Sequence, residues 1–341
     1  ATFLPLAFGP FFGRDHSLAT LRTLFAERTP LITILGAGGL GKTRLAIHFA
    51  SLSLQQMPLT FVDLSGARDL DGLLMAVGSA LGVPSNDASS KGSIERIGRV
   101  LGSGGPRALI LDNFETVIDF GRAPLQAWLS LAPDARFIIT SRERLDLGLE
   151  KILLLNPLRT KDAKALFRQR ARAAGAHLAE TPEENLALER LITQLDHSPL
   201  ALELAAGRAV TMGISQIIDR LDKRFQILRS RRQDIPQRHQ SLQTVIEDSL
   251  SRLDGDSLML LRACARLPGP LSLETIEGLI SQDLDNPDAW VPDILQTLSD
   301  RSLLWMRSQE QLPPVFGMQE NIRAYLRLGQ AQASPPWEER L

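Results

Sequence analysis

From Leu31 to about Leu155, short apolar runs alternate with stretches whose apolar positions recur every three to four residues. The runs LITIL (31–35), TFVDL (60–64), ALILD (108–112), RFIIT (136–140) and KILLL (151–155) read as buried strands. Between them, TRLAIHFASLSL (43–54), DLDGLLMAVGSALGV (69–83) and SIERIGRVL (93–101) have the helical period, the second ending at Gly82 with Pro84 just beyond. Strands apolar on both faces, alternating with helices, predict a parallel sheet covered on both sides.

After Pro157 the pattern turns helical. Segments 161–174, 182–196, 200–209 and 214–228 keep a helical period with Pro and Gly punctuation and no clear strand, which predicts a small helical domain. The polar, basic stretch RSRRQDIPQRHQ (229–240) follows, then helices at about 241–252, 256–265, 272–281 and 290–299. SLLWMRSQEQLPPVFGMQ (302–319) reads as a hairpin turning at SQEQLPP, and a last helix covers about 321–328. Helices followed by a short hairpin suggest a winged-helix module. The closing GQAQASPPWEERL has a linker's composition, and there is no internal repeat.

Composition narrows the class. The chain has 341 residues, enough for two or three domains, and it opens on Ala1 rather than Met, as a piece of a longer protein would. It is 44% hydrophobic and 23% charged, as soluble globular proteins are, and no run is long enough to cross a bilayer. Net charge is −1, so no global field draws it to nucleic acid or a membrane. The single cysteine, Cys264, excludes an internal disulfide; within LMLLRACARL it reads as a small buried hydrophobe. A reducing, cytoplasmic location follows. The five histidines lack ligand spacing, so no structural metal is expected.

The chemistry begins at LITILGAGGLGKTRLA, which fits G-x-x-x-x-G-K-[ST] with Gly36, Gly41, Lys42 and Thr43. Glycines let successive backbone N–H groups curl around an anion, and the helix that follows adds its positive end. In such a loop Lys42 reaches β- and γ-phosphates and Thr43 ligates Mg²⁺. The binding set is Gly36, Gly38, Gly39, Leu40, Gly41, Lys42, Thr43 and Arg44. Asp112, ending an apolar strand, supplies the second metal anchor. Asn113 cannot take a proton, so Glu115 is the better base. Arg142, at the tip of RFIIT beside Thr140 and Ser141, is placed to read a γ-phosphate. No N-K-x-D motif appears, which favours adenine. Lys42, Asp112, Glu115 and Arg142 form the catalytic set.

The order of these motifs resembles that of the STAND class of P-loop ATPases, in the NB-ARC and bacterial AfsR- and MalT-like neighbourhood. FFGRDHSLATL (11–21) resembles the family's hhGRExxL segment, LILDNFE its Walker B and IITSRERL its sensor 1. LLLNPLRTKDAKALFRQRA resembles its L-x-L-x-P-L segment and the helix after it. LDHSPLALELAAGRA (195–209) resembles L-x-G-L-P-L-A-L-E-L-A-A, RHQSLQTVIEDSLSRL (238–253) the approach to the winged helix, and FGMQENIRAYL (316–326) the M-H-D region. The matches span residues 11 to about 328.

The resemblance implies an α/β parallel-sheet P-loop domain (1–156), a helical domain (157–229), a winged-helix domain (230–330) and a tail (331–341), with ADP or ATP and Mg²⁺ among them. It implies that Phe12, Gly13 and Arg14 lie near adenine and ribose and Pro199 against the base. Three positions depart from the family: His197 stands for the glycine of G-L-P, Asn113 for the second Walker B acid, and Gln319 for the M-H-D histidine. Gln319 reads equally as a donor to a β-phosphate or as an ordinary surface residue. The implied function is a signalling switch, closed with ADP, opening and self-associating with ATP, and reset by weak ATPase activity. Its sensor and effector would lie in segments absent from this chain; no membrane partner is expected, and DNA would be reached only through a missing domain. Two alternatives stay open: a winged-helix DNA-binding regulator using Arg229, Arg231, Arg232 and Arg238, with ATP as allosteric ligand, and an AAA-type motor with fast turnover.

Overall fold

The structure, a computed structural model, describes residues 4–5, 10–55, 57–83, 89–179, 181–229, 241–280, 289–309 and 312–330. The chain divides into two units. One comprises Ala1–Gly36 and Gly41–Asn156, the other Ala37–Leu40 and Pro157–Leu341.

In the first unit the elements run α1 (Asp15–Ala26), β1 (Leu31–Leu35), α2 (Lys42–Ser53), β2 (Leu59–Asp63), α3 (Leu70–Leu81), α4 (Ser90–Gly102), β3 (Arg107–Asp112), α5 (Ile118–Leu131), β4 (Ala135–Ser141) and β5 (Glu150–Leu154). The strands form one parallel sheet in the order β2-β3-β4-β1-β5. Position in the sheet accounts for composition: the inner strand β1 is buried at every residue, whereas the edge strands β2 and β5 are only partly buried. Asp69 starts α3 by accepting from the Gly72 N–H at 2.8 Å, and Gly82, at φ 70°, ends it in the left-handed conformation that glycine adopts freely. One side of the sheet packs α3, α4 and α5 into a core around Leu73, Ile97, Leu109, Phe114, Trp128 and Phe137. Trp128 is fully buried on α5, and its indole N–H donates to the Ile94 carbonyl on α4 at 3.1 Å.

The second unit contains α6 (Thr160–Ala173), α7 (Pro182–Gln194), α8 (Pro199–Arg208), α9 (Ile214–Ile218), α10 (Arg224–Ile227), α11 (Leu242–Leu250), α12 (Gly255–Arg266), β6 (Leu271–Ser272), α13 (Leu273–Ile280), α14 (Val291–Asp300), β7 (Leu304–Gln309), β8 (Leu312–Met318) and α15 (Glu320–Gln330). Its three strands pair antiparallel in the order β6-β8-β7. Arg323 on α15 is buried, and its guanidinium donates to the carbonyls of Cys264 and Ala265 in the last turn of α12 and of Leu267 and Gly269 just beyond it.

Two expected elements are corrected. The single helix over 214–228 is α9, a 3₁₀ turn at Leu221–Lys223 and α10. Leu221, Phe225, Ile227 and Leu228 still bury, so the period reported the buried face and not continuity. Guanidinium groups take carbonyls exposed by the breaks: Arg224 donates to Leu221 and Arg208 to Ile227. The hairpin turn was expected to include Pro313 and Pro314, yet both lie inside β8. Successive residues turn to opposite flanks of β8: on one flank β6 pairs only with Val315 and Phe316, and on the other the β7 ladder shifts register between Arg307 and Gln309, so neither proline interrupts a regular ladder. Of the basic stretch 229–240 only Arg229 is described; Arg231, Arg232, Arg238 and the tail 331–341 lie outside the described residues. No helix among the described residues is long and apolar enough to cross a membrane.

Cys264 is buried on α12, and burial pushes its thiol up to about 12. We expect a thiol reagent at pH 8 to leave the native protein unlabelled and to modify one site after denaturation. Immediate labelling of the native chain would contradict this packing.

Candidate functional site

β1 ends at Leu35, and the Gly36 N–H donates to the Ser141 carbonyl at 3.3 Å, so the loop leaves the sheet from a fixed point. Gly41 then caps α2 at φ 88°. A side chain there would meet nothing within 4 Å, so glycine is needed for the left-handed backbone and not for space. Gly39, at φ 79°, is constrained twice: a Cβ would lie 3.0 Å from that of Leu200, whose N–H donates to the Gly39 carbonyl at 3.2 Å. Leu40 is buried. Ala37 and Gly38 line a pocket of the second unit with Ser198, Leu242, Gln319 and Ile322.

Lys42, the first residue of α2, is buried, and its Nζ donates to the Gly36 carbonyl at 2.7 Å. Burial lowers its pKa to about 8; Glu115 pulls it back up, Arg142 pushes it further down and Asp112 again raises it. Thr43 Oγ1 donates to Asp112 Oδ1 at 2.7 Å, and Thr140 Oγ1 donates to the same oxygen at 2.5 Å. Asn113 Nδ2 donates to the other Asp112 oxygen at 2.9 Å and to Asp63 Oδ1 at 3.1 Å. The parallel register explains the convergence: Asp63 lies opposite Asp112, Leu111 opposite Ile139, and Leu35 opposite Ser141, so the strand ends share one edge of the sheet. Asn113 holds its place in the left-handed region at φ 61°, which a short amide side chain tolerates. Burial raises Asp112 to about 6, while the Thr140 and Thr43 hydroxyls pull it down.

Glu115 sits in the 3₁₀ turn Phe114–Thr116, and its carboxylate pairs with Arg142 Nε at 3.2 Å. Both side chains are buried, 3% and 12% exposed, so each stabilises a charge that water would otherwise have to reach. In the first unit, then, Lys42, Thr43, Asp112, Glu115 and Arg142 gather at the carboxyl ends of β1, β3 and β4. Arg14 is elsewhere in this unit: it precedes α1, is buried, and donates to the Asn156 carbonyl at 2.6 Å. Gly13 beside it is at φ 61°, and Phe12 is half-buried. Arg44 donates to the Pro10 carbonyl at 2.7 Å. Pro199 begins α8 and Gln319 immediately precedes α15, both in the second unit.

Sequence reasoning missed Asp63, although it too ends an apolar strand, and gave Thr140 no role although its hydroxyl fixes Asp112. It also gave none to Asp196, which accepts from two amides 124 and 125 residues away.

The residues fit a nucleotide with a divalent cation. Burial disfavours the charge of both Lys42 and Asp112, and a phosphate beside the one and a divalent cation beside the other would each favour it. Gly41 opens the helix end with no side chain in the way. Among the described residues no three of His, Cys, Asp and Glu form a metal cage, so a cation here would complete its shell from phosphate and water, as Mg²⁺ does.

Residues 26–145 match the AAA domain family AAA_22. A Mycobacterium tuberculosis protein described as an HTH-type transcriptional regulator is 31% identical over 286 residues, which is 83% of this chain and 32% of that protein. The regulatory protein AfsR of Streptomyces griseus is 26% identical over 345 residues, 95% of this chain and 33% of AfsR. The chain thus spans about a third of the length of these curated relatives. The crystal structure of a STAND protein with a tetratricopeptide repeat sensor from Pyrococcus horikoshii is similar at 20% identity and TM-score 0.40, over 99% of this chain and 45% of that one. Residues 26–145 thus form an AAA domain, and over most of its length the chain is similar in sequence to proteins described as transcriptional or regulatory proteins.

Proposed function

We propose that the chain is the nucleotide-operated core of a larger signalling regulator. Lys42 and the loop amides would hold the phosphates of ADP or ATP, Thr43 and Asp112 would hold Mg²⁺, and Arg142 would answer the γ-phosphate. Bound Mg²⁺ would supply neutralisation of phosphate charge. Phe12, Gly13, Arg14 and Pro199 would face the adenosine. The second unit is read as a helical domain over 157–229 and a winged helix over 230–330.

The observation that carries the switch reading is the packing of the phosphate loop itself. Ala37–Leu40 group with Pro157–Leu341, Leu200 grips Gly39, and Gln319 lines a pocket with Ala37 and Gly38. What fills the loop therefore bears on residues far along the chain. ADP favours the closed arrangement; the extra charge of ATP favours an open, self-associating one, by the difference in its affinity for the two. Hydrolysis is slow, because Asn113 cannot accept a proton and Glu115 is tied to Arg142.

The test is to denature the purified protein, chromatograph the released nucleotide, titrate ADP and ATP with Mg²⁺, and follow mass by light scattering. Expected are stoichiometric adenine nucleotide and a larger species with ATP only. No bound nucleotide, and no heat or mass change on adding either one, overturns the reading.

A further inference from the structure

The turn between α7 and α8 and the N-terminus of α15 are joined by one carboxylate. Asp196 Oδ1 accepts from the Glu320 N–H and Oδ2 from the Asn321 N–H, each at 2.8 Å. These are the first two amides of α15, donors that no residue of their own helix can satisfy. The carboxylate thus acts as a helix cap delivered from a distant segment, with its negative charge at the positive end of the helix. A second strut crosses the same gap. Arg224, buried on α10, donates through Nη1 to Asn321 Oδ1 at 3.3 Å and to the Gln194 carbonyl, two residues before Asp196, at 3.5 Å.

The turn holds this position under strain. Asp196 and His197 are consecutive non-glycine residues in the left-handed region, at φ 54° and 53°. Burial raises the Asp196 pKa to about 6 against the pull of its two amide bonds, with Glu320 also raising it and Arg224 lowering it. Glu320 in turn is paired with Arg323 at 3.6 Å. A strained turn that buries a carboxylate persists only where surrounding structure over-determines it. Here the two ends it ties are informative. Two residues beyond Asp196 lies Ser198, which lines the pocket with Ala37, Gly38 and Gln319, and Leu200 grips Gly39. One residue before Glu320 lies Gln319.

We infer that Asp196 is a positioning residue: by capping α15 from the α7–α8 turn it holds Gln319 beside the phosphate loop, and it thereby slows the release of ADP. The inference rests on the switch reading above and adds to it the residue that keeps the closed arrangement shut. Gln319 does the touching, and Asp196 acts through it.

The test measures release of a fluorescent ADP analogue, chased with unlabelled ADP and Mg²⁺, by stopped flow. Asp196→Asn keeps the size but places an amide NH₂ against a backbone donor. Glu320→Pro deletes one donor from the opposite side, at the first helical position, where proline fits. Each is expected to speed ADP release about tenfold, the scale for losing a hydrogen bond to a charged acceptor, while ATP affinity changes less than threefold. Gln319→Ala should speed release to a similar degree and add nothing in the Asp196→Asn background, a coupling that general destabilisation would not produce. Release unchanged in both Asp196→Asn and Glu320→Pro, or effects of Asp196→Asn and Gln319→Ala that simply multiply, overturns the inference while leaving the switch reading intact. Absence of ADP binding by the unsubstituted chain overturns both.

Discussion

Lys42→Ala is expected to weaken ADP and ATP binding about a hundredfold, read by titration calorimetry, without lowering the melting temperature. Hydrogen bonds to charged groups contribute about 1.5–3 kcal/mol, and about 2.7 kcal/mol is a hundredfold in affinity. Lys42 lies at the upper part of that range because it is buried, and burial lowers its pKa to about 8. For the same reason the free protein gains little from the ammonium: burial costs it solvation, and the hydrogen bond it donates to Gly36 goes to a neutral carbonyl. Ligand affinity and fold stability should therefore separate. Affinity within twofold of the unsubstituted chain would mean that Lys42 does not meet phosphate and that the site has been misread.

The largest effect on folding is expected at Trp128. Trp128→Ala should cost about 3–5 kcal/mol, as truncation of a large, fully buried aromatic does. The indole fills the core beneath the sheet among Leu101, Leu125 and Phe137, and its loss also leaves the Ile94 carbonyl without the N–H that now reaches it. Trp290, 64% exposed, provides the internal comparison, since Trp290→Ala should stay within about 0.5 kcal/mol. Urea unfolding followed by circular dichroism distinguishes them. Equal midpoints for the two substitutions would show that the α4–α5 face is not packed as described.

Much of the first unit is legible because parallel strands buried on both faces write themselves as continuous apolar runs. The phosphate loop is legible for a different reason: its glycines are demanded by backbone geometry, and Lys42 and Thr43 follow at the only spacing the helix allows. Asp112 shows because a carboxylate after four apolar residues is out of place in a core. What was not legible depends on partners distant in sequence. The order β2-β3-β4-β1-β5 is chosen by packing, and only that order sets Thr140 against Asp112. Helix α1 buries only Leu18 and Leu21 fully, too few to print a stripe. Pro313 and Pro314 read as a turn, since nothing local reveals that β6 stops short of them. Asp196 looked like one more polar residue in a turn because its partners, Glu320 and Asn321, lie 124 and 125 positions away.

The grip of Leu200 on Gly39 has a consequence for variation. A Cβ at position 39 would lie 3.0 Å from the Cβ of Leu200 and 3.2 Å from its Cδ2, closer than side chains pack. Trimming Leu200 to alanine keeps that Cβ, and the left-handed backbone at φ 79° would strain any other residue in the loop, so no change at the start of α8 short of glycine makes room, and a library that randomises position 39 will return mostly glycine.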